Sequence, residues 1–345
     1  MGGAYFYNLI GGFTEKGILP VCVELGKSNP PKWLAEFPQA KYFALGIESR
    51  IKYPLAVARL VRILRREKID ILQNQLYDAG LIGLAAGRIA RVPLVITTRH
   101  HSDLVKMLGT KYHVMLDRLM ADKADAAIVV SDAVRRFMQE SDRVKQKRIK
   151  TIYIGFDFEK LSVTPLQREK IREEFDFTPD SFVIGYVGQI IKGKGHLQLL
   201  EAFKDVADKI PEAKLFFVGS GDTNEIRRKI AEYKLAEKVI LAGWRDDAAA
   251  CIGAMDVFVQ PSLSEAFSQV IIEAMAIGTP LIATTVGGAA EVITNEINGL
   301  LIPPDNIPAI SKAVLKMYND KYLREKTAAN ALAHGRRDFT VEKMD

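Results

Sequence analysis

Two glutamates eight residues apart carry the clearest chemistry in this chain. Glu265 closes the stretch Pro261-Ser262-Leu263-Ser264-Glu265, just after the apolar run Val257–Val259, which reads as a buried parallel strand. Glu273 lies in the run that follows, where Phe267, Val270, Ile271, Ala274 and Met275 recur at helical spacing up to Gly278. The spacing predicts a helix over Ala266–Ile277 whose first N–H groups lack intrahelical partners and offer a seat for a phosphate. A carboxylate beside such a seat cannot favour the phosphate itself. It can accept hydrogen bonds from hydroxyls of the same ligand, and a sugar or ribose attached to a diphosphate has both kinds of group. The plainer alternative is a capping glutamate and a solvated helix glutamate.

Three other stretches invite chemical readings. Gly188-Gln189-Ile190-Ile191-Lys192-Gly193-Lys194-Gly195 matches the first seven positions of a P-loop. Gly195 stands where the magnesium-binding Ser or Thr belongs, which argues against an NTPase. Gly219-Ser220-Gly221-Asp222 begins like a dinucleotide fingerprint but lacks its third glycine, so NAD binding is weakly supported. Thr97-Thr98-Arg99-His100-His101-Ser102-Asp103 follows a strand-like run, at the end where open α/β sheets place ligands. Its His-His-x-Asp cluster crowds three ligands too closely in sequence to suit one metal geometry, and no metal is expected.

The elements that must position these groups alternate. Strands are expected at Leu19–Glu24, Tyr42–Leu45, Ile69–Leu72, Leu94–Thr97, Ala126–Val130 and Lys150–Tyr153. Helices are expected between them at Ile51–Glu67, Ala79–Ala90, Thr110–Lys123 and Asp132–Glu140, after a first helical pattern ending near Gly17. The charged stretch Glu159–Ser181, with Pro165 and Pro179, reads as a linker with a short helix. A second series follows: strands Phe182–Val187, Lys214–Val218 and Val239–Ala242, with helices Leu197–Ile210, Thr223–Tyr233 and Ala248–Ala254. Helices Asn306–Asn319 and Leu323–Arg336 come last. Such alternation implies right-handed βαβ units and parallel sheets, an α/β fold.

Length and composition agree. The 345 residues suffice for two cores, with 48% hydrophobic and 26% charged residues. No apolar run is long enough to span a membrane, and the N-terminal sequence lacks the pattern of a signal peptide. Cys22 and Cys251 are far apart and in no CxxC, which favours a reducing compartment. A net charge of +6 calls for an anionic partner. Basic residues cluster at Arg59, Arg62, Arg65, Arg66 and Lys68, and again at Arg143, Lys145, Lys147, Arg148 and Lys150. No aromatic side chains interleave them, so nucleic acid is not expected.

Pro261-Ser262, Glu265-Ala266-Phe267-Ser268, Glu273-Ala274-Met275-Ala276, Gly278-Thr279-Pro280 and Gly287-Gly288-Ala289-Ala290-Glu291 together resemble the donor-site block of the retaining glycosyltransferases of family four, with its Glu-x7-Glu pair. The resemblance extends more thinly over nearly all of the chain. It implies the GT-B fold, two Rossmann-like doubly wound domains facing across a cleft: an acceptor-side domain at 1–160 whose first strand is missing, a linker at 161–180, a donor domain at 181–335, and at 336–345 the start of a helix crossing back.

The resemblance also assigns roles. Gly2-Gly3 is similar to the glycine turn facing the donor phosphates. Lys194, Gln189 and the helix start at Phe267-Ser268 would hold the diphosphate, with Gly219 near the nucleotide and Glu273 accepting from ribose hydroxyls. Gln189 stands where the family usually has Arg, so one charge is absent. Arg245, after Gly243-Trp244, could reach a phosphate or lie on the surface. Glu265 would bind sugar hydroxyls beside the anomeric carbon, and His100, in Thr98-Arg99-His100, would face the transferred sugar. The implied activity is metal-independent, retaining transfer from a UDP- or GDP-type sugar, without another cofactor. Its acceptor would be lipid-linked, polysaccharide or another hydroxyl, in cell-envelope synthesis such as lipopolysaccharide. The basic residues of the first domain suggest contact with anionic lipid, so the expected location is cytoplasmic, peripheral on the inner face of the membrane. A nucleotide-sugar epimerase and a catalytically weak GT-B binding partner are the alternatives.

Overall fold

Every strand pairing within a sheet is parallel among the described residues, as short apolar runs separated by helices require. The computed structural model describes residues 2–26, 29–100, 111–140, 144 and 148–344. The chain divides into two units, Met1–Gly155 with Val341–Asp345, and Phe156–Thr340.

The first unit begins with helix α1 (Gly2–Glu15). Gly2 and Gly3 therefore lie in the first turn of a helix, whereas a turn was expected there. The periodicity of Phe6, Leu9, Ile10 and Phe13 carries back through them, with Tyr5 and Ile10 buried. Strands β1 (Val21–Glu24) and β2 (Lys41–Ala44) form one sheet. Strands β3 (Ile71–Gln75), β4 (Leu94–Arg99), β5 (Ala126–Val129) and β6 (Ile149–Thr151) form another. Helix α2 (Tyr53–Arg66) buries Ala56, Leu60 and Leu64 at fourfold spacing. These meet Ile82 and Ala86 of α3 (Tyr77–Ala90) in a core that also takes in Leu45, Ile47 and Val95. Helices α4 (Lys111–Lys123) and α5 (Asp132–Glu140) flank β5.

Part of the first basic cluster is spent internally. Arg59 donates to the carbonyl of Leu45, and Arg65 to that of Ile89 at 2.7 Å. Arg66 pairs with Glu67. In the second cluster Arg148 donates to the carbonyl of Asp122 at 3.2 Å, while Arg143, Lys145 and Lys147 lie outside the described residues.

The second unit holds a six-stranded sheet ordered β12-β11-β10-β7-β8-β9. Its strands are β7 (Phe182–Val187), β8 (Ala213–Val218), β9 (Val239–Gly243), β10 (Val257–Gln260), β11 (Leu281–Thr284) and β12 (Leu300–Ile302). Residues of β7, β10 and β11 are buried throughout, which explains their unbroken apolar runs. Helices α6 (Pro165–Glu174), α7 (His196–Lys209), α8 (Asn224–Glu232), α9 (Ala248–Ala254), α10 (Gln269–Ile277), α11 (Ala289–Val292), α12 (Ile307–Asn319) and α13 (Lys321–Asp338) surround it.

The expected linker proves to be part of this unit. Thr164 and Gln167 form a capping box that starts α6. Arg168 and Arg172 then reach Asp256 at 3.2 and 3.3 Å, and Asp256 also accepts from the backbone N–H of Val183 at 2.8 Å. One carboxylate thus ties α6 to the starts of β7 and β10. At the other end, Phe156 and Thr340 form a parallel bridge, so the second unit closes on itself. Val341–Met344 is a single 3₁₀ turn grouped with the first unit; the helix α13 before it stops at Asp338.

His196 opens α7 and is 4% exposed. Its ring meets Tyr186 edge-on at 4.7 Å and Phe217 at 5.4 Å. Neither ring nitrogen has a hydrogen-bond partner. Burial, reinforced by the positive charge of Lys194, lowers the imidazole to about 4. The neutral ring is therefore the folded form, and its contribution to stability is complete above the unfolded value of about 6.5. It is lost as pH falls from there through the folded value. Denaturant titrations should show the native chain losing about 3 kcal/mol more than His196→Phe between about pH 7 and about pH 4. Equal acid sensitivity in the two proteins would refute this account.

Candidate active site

The order of the six-stranded sheet turns around at β7: the chain steps outward through β8 and β9, then returns to the other side at β10. Loops leaving the carboxyl ends of β7 and β10 run in opposite directions, and the crevice between such loops is where α/β sheets bind ligands. The loops in question are 188–195 and 261–268, which contain Lys194 and Glu265.

Backbone bonds fix these loops before any side chain acts. The carbonyl of Gly193 accepts from the N–H of Leu263 at 2.9 Å and of Ser264 at 3.4 Å. Gly188 and Ile190 donate to Val218 and Ser220 at 2.9 and 2.8 Å, and Gly219 donates to Gly243 at 2.7 Å. Close approach explains two of the glycines. A Cβ on Gly195 would lie 2.0 Å from the carbonyl oxygen of Pro261, and one on Gly287 would lie 2.0 Å from that of Glu265. Both also have positive φ, 74° and 55°, which side chains disfavour.

On this frame Lys194 Nζ meets Glu265 Oε2 at 2.6 Å. The two side chains are 26% and 13% exposed, so the pair is partly withdrawn from water yet open to a ligand. Oε2 also accepts from Gln260 Nε2 at 3.1 Å and, more weakly, from Ser262 Oγ at 3.5 Å. Tyr186 lies behind them, 2% exposed, and burial followed by the Glu265 charge raises its phenol well above the ordinary value.

Helix α10 starts at Gln269, three residues later than the periodicity predicts. The preceding residues are held in other geometry. The carbonyl of Ala266 accepts from Gly288 N–H at 2.8 Å, and Ser268 Oγ donates to Gln260 Oε1 at 2.5 Å. Ser268, extended at φ −86° and ψ 105°, is the N-cap. Its hydroxyl is engaged internally, so the groups left to an anion are the backbone N–H groups of the first turn. Phe267 is buried, its ring 6.0 Å from that of Phe339. Glu273 projects from the second turn of α10, half-buried, and burial pushes its carboxyl up.

Gln189 is exposed on the loop after β7. Gly219 follows β8 at φ 143°. Arg245 lies at the surface, held in ion pairs. It pairs with Glu174 and with Asp247 at 2.7 Å, stacked 5.4 Å above the Phe175 ring. It joins α6 to the start of α9 and is already committed.

In the first unit, His100 follows β4 directly. Its Nε2 lies 2.6 Å from Gln75 Oε1, and Gln75 Nε2 donates to the Tyr5 hydroxyl at 3.4 Å. With the amide oriented this way, His100 carries its proton on Nε2. Tyr5 also packs edge-on against the imidazole at 5.1 Å. Leu76, next to Gln75, takes φ 69° and ψ 169°, a region that only glycine normally enters. His101, Ser102 and Asp103 lie outside the described residues. Ser131 caps α5, accepting from Val134 N–H at 3.3 Å.

The sequence reading missed Gln260, Tyr186 and Asp256. Gln260 left a trace, since a polar residue closing a buried apolar strand demands hydrogen-bond partners. Tyr186 and Asp256 left none.

The arrangement combines a helix start able to seat an anion, a partly exposed cation and two carboxylates able to accept from hydroxyls. Comparison with known proteins agrees. The profile of "Glycosyl transferases group 1" matches residues 167–334, and that of "Glycosyltransferase Family 4" matches residues 2–160. The capsular polysaccharide biosynthesis glycosyltransferase CapM of Staphylococcus aureus is 30% identical over 80% of this chain and 74% of its own. An Escherichia coli UDP-Gal:alpha-D-GlcNAc-diphosphoundecaprenol alpha-1,3-galactosyltransferase is 28% identical over 83% and 76%. Among solved structures, Anabaena HepE in complex with UDP superposes with a TM-score of 0.84 at 24% identity, covering 99% of this chain and 93% of that one. WaaG, a glycosyltransferase of lipopolysaccharide biosynthesis, gives 0.78 at 15% identity, with coverage of 99% and 93%. The chain belongs to glycosyltransferase family 4 and has the GT-B fold.

Proposed function

We propose that this glycosyltransferase moves a sugar from a nucleoside diphosphate donor to a glycan or lipid-linked acceptor in cell-envelope synthesis, with retention at the anomeric carbon. The observation that carries the reading is the Lys194–Glu265 pair, 2.6 Å apart at the switch point of the second sheet and next to the start of α10. The relatives support it. CapM is named for capsular polysaccharide biosynthesis, and the Escherichia coli relative is named for transfer from UDP-Gal to a diphosphoundecaprenol-linked sugar. A HepE structure holds UDP-glucose.

In this reading the first N–H groups of α10 and the Lys194 ammonium hold the diphosphate. Negative charge grows there as the bond to the anomeric carbon breaks, so these groups bind the transition state more tightly than the ground state. Glu265, released in part from Lys194, accepts from hydroxyls of the sugar. Glu273 accepts from the ribose. Attack comes from the face the diphosphate leaves, and His100, its Nε2–H held by Gln75, accepts through Nδ1 from a hydroxyl of the transferred sugar. Lysine and helix dipole supply the positive charge, so the reading takes no divalent metal. Gln189 brings a donor without a charge where the family resemblance leads one to expect Arg, which leaves Lys194 a larger share of the work.

A membrane-facing role also has support in the first unit. Leu81, Leu84 and Ala85 of α3 and Leu116, Leu119 and Met120 of α4 line a groove of about 470 Å³, with Arg88 and Lys123 on its wall. Met115 and Ile89 are exposed nearby. Apolar side chains edged by cations suit an anionic bilayer surface.

Three outcomes are expected. Lys194→Ala should lower kcat/KM about a hundredfold or more with UDP-glucose or UDP-galactose, while excess EDTA leaves the native rate unchanged. A rate within threefold of native would remove Lys194 from the mechanism. Calorimetry should show UDP affinity weakening as pH falls through the raised Glu273 value, because only the ionised carboxylate accepts from both ribose hydroxyls; Glu273→Gln should be flat over the same range. Sedimentation with phosphatidylglycerol vesicles should retain the native chain at low salt and lose a Leu84→Ser, Leu119→Ser double variant. Equal retention of the two would count against the α3–α4 face.

A further inference from the structure

Gln260 ends a buried strand, is 3% exposed, and uses both ends of its amide. Ser268 Oγ donates to Oε1 at 2.5 Å, and the carboxylate of Glu265, which only accepts, fixes the opposite end of the amide as the donor. Nε2 is then the donor, and it points to Glu265 Oε2 at 3.1 Å and Ser262 Oγ at 3.4 Å. The hydroxyl of Thr284, on the neighbouring strand, holds the backbone that carries this amide. It donates to the carbonyl of Ser262 at 2.6 Å and reaches that of Gln260 at 3.5 Å. The result is a directed chain from Ser268, the cap of α10, through Gln260 to the carboxylate of Glu265.

Glu265 Oε2 has a second partner, Lys194, whose flexible stem and 26% exposure let it turn toward a diphosphate. If Lys194 leaves, the carboxylate loses its charged partner at the moment it must meet the sugar. Gln260 cannot leave, because strand pairing with β11 and burial fix its backbone. We infer that Gln260 is a positioning residue: through Ser268 and its own amide it holds the Glu265 carboxylate in orientation when Lys194 turns to the donor phosphates. This rests on the donor-site reading given above, and it adds a residue that the Glu-x7-Glu pair does not include. A short buried relay from a helix cap to a carboxylate places that carboxylate more exactly than a loop side chain alone can.

Three variants test it. Gln260→Leu should lower kcat with UDP-glucose about ten- to a hundredfold, the weight of one hydrogen bond to a charged group. KM for the donor and the affinity for UDP, which has no sugar, should stay within about threefold. Gln260→Glu is isosteric. When protonated, its carboxyl accepts from Ser268 and donates to Glu265 as the amide does; when ionised, it repels Glu265. Its rate should therefore approach native at low pH and fall as pH rises, a limb absent from the native profile. A purely structural role for Gln260 would lower UDP binding and kcat together and give no new limb, and that result would overturn the inference.

The inference is also tested without turnover. The extra thermal destabilisation of Gln260→Glu should grow with rising pH, and should grow much less in a Glu265→Gln background. If the native chain neither turns over nor binds UDP, the donor reading fails while this coupling still decides the contact. If the pH dependence is the same in both backgrounds, Gln260 does not act on Glu265.

Discussion

The second unit depends on how a parallel sheet changes direction. A sheet that grows outward from one strand and then returns to its other side must leave two loops diverging from adjacent strand ends. Here those strands are β7 and β10, and the loops carry Lys194 and Glu265. Two opposite charges at 2.6 Å would be an ordinary surface pair elsewhere. In the crevice they are partly dehydrated, close to a helix start, and held by loops whose backbones bond to each other. The pair links the two loops and is exposed enough for one partner to be exchanged for a ligand.

Rigidity around that exchange comes from groups that do no chemistry. Asp256 collects two arginines of α6 and a backbone N–H of β7, so the beginning of β10 cannot drift from the beginning of β7. Gly195 and Gly287 let the neighbouring carbonyls of Pro261 and Glu265 approach within the space a side chain would fill. His196 fills an aromatic pocket beneath Lys194 as an uncharged ring, since burial makes the imidazolium costly. Arg245 is a further case: two carboxylates and an aromatic face engage it fully, so a residue that seemed available for phosphate is structural.

The first unit has a different character. Part-buried hydrogen bonds meet at the end of β4, where Gln75 sets the proton of His100 and Leu76 holds a conformation normally left to glycine. Such strain persists only where packing over-determines it, and it tends to mark working parts of a fold. The outward apolar side chains of α3 and α4 belong to the same unit. Met120 and Leu84 of this face also pack inward, while Met115, Leu119 and Ile89 stand exposed and are left for something other than folding.

The sequence by itself determined the strand and helix alternation, because burial on both faces writes continuous apolar runs and helices write a 3.6-residue period. Strands such as Phe182–Val187 and helices such as Asp132–Glu140 and Ala248–Ala254 were legible to the residue. The Glu265–Glu273 spacing and the glycines marked the donor loops and, with the family resemblance, the fold. Only tertiary structure decided that α10 begins at Gln269, since the bonds that hold 266–268 out of the helix come from Gly288 and Gln260, distant in the helical period. It also drew the supposed linker into the second unit through Asp256, and gave Arg245 and Gln260 their roles. Periodicity reports which face of an element meets the core; it carries no information about which polar atom, many residues away, will stand within hydrogen-bonding distance.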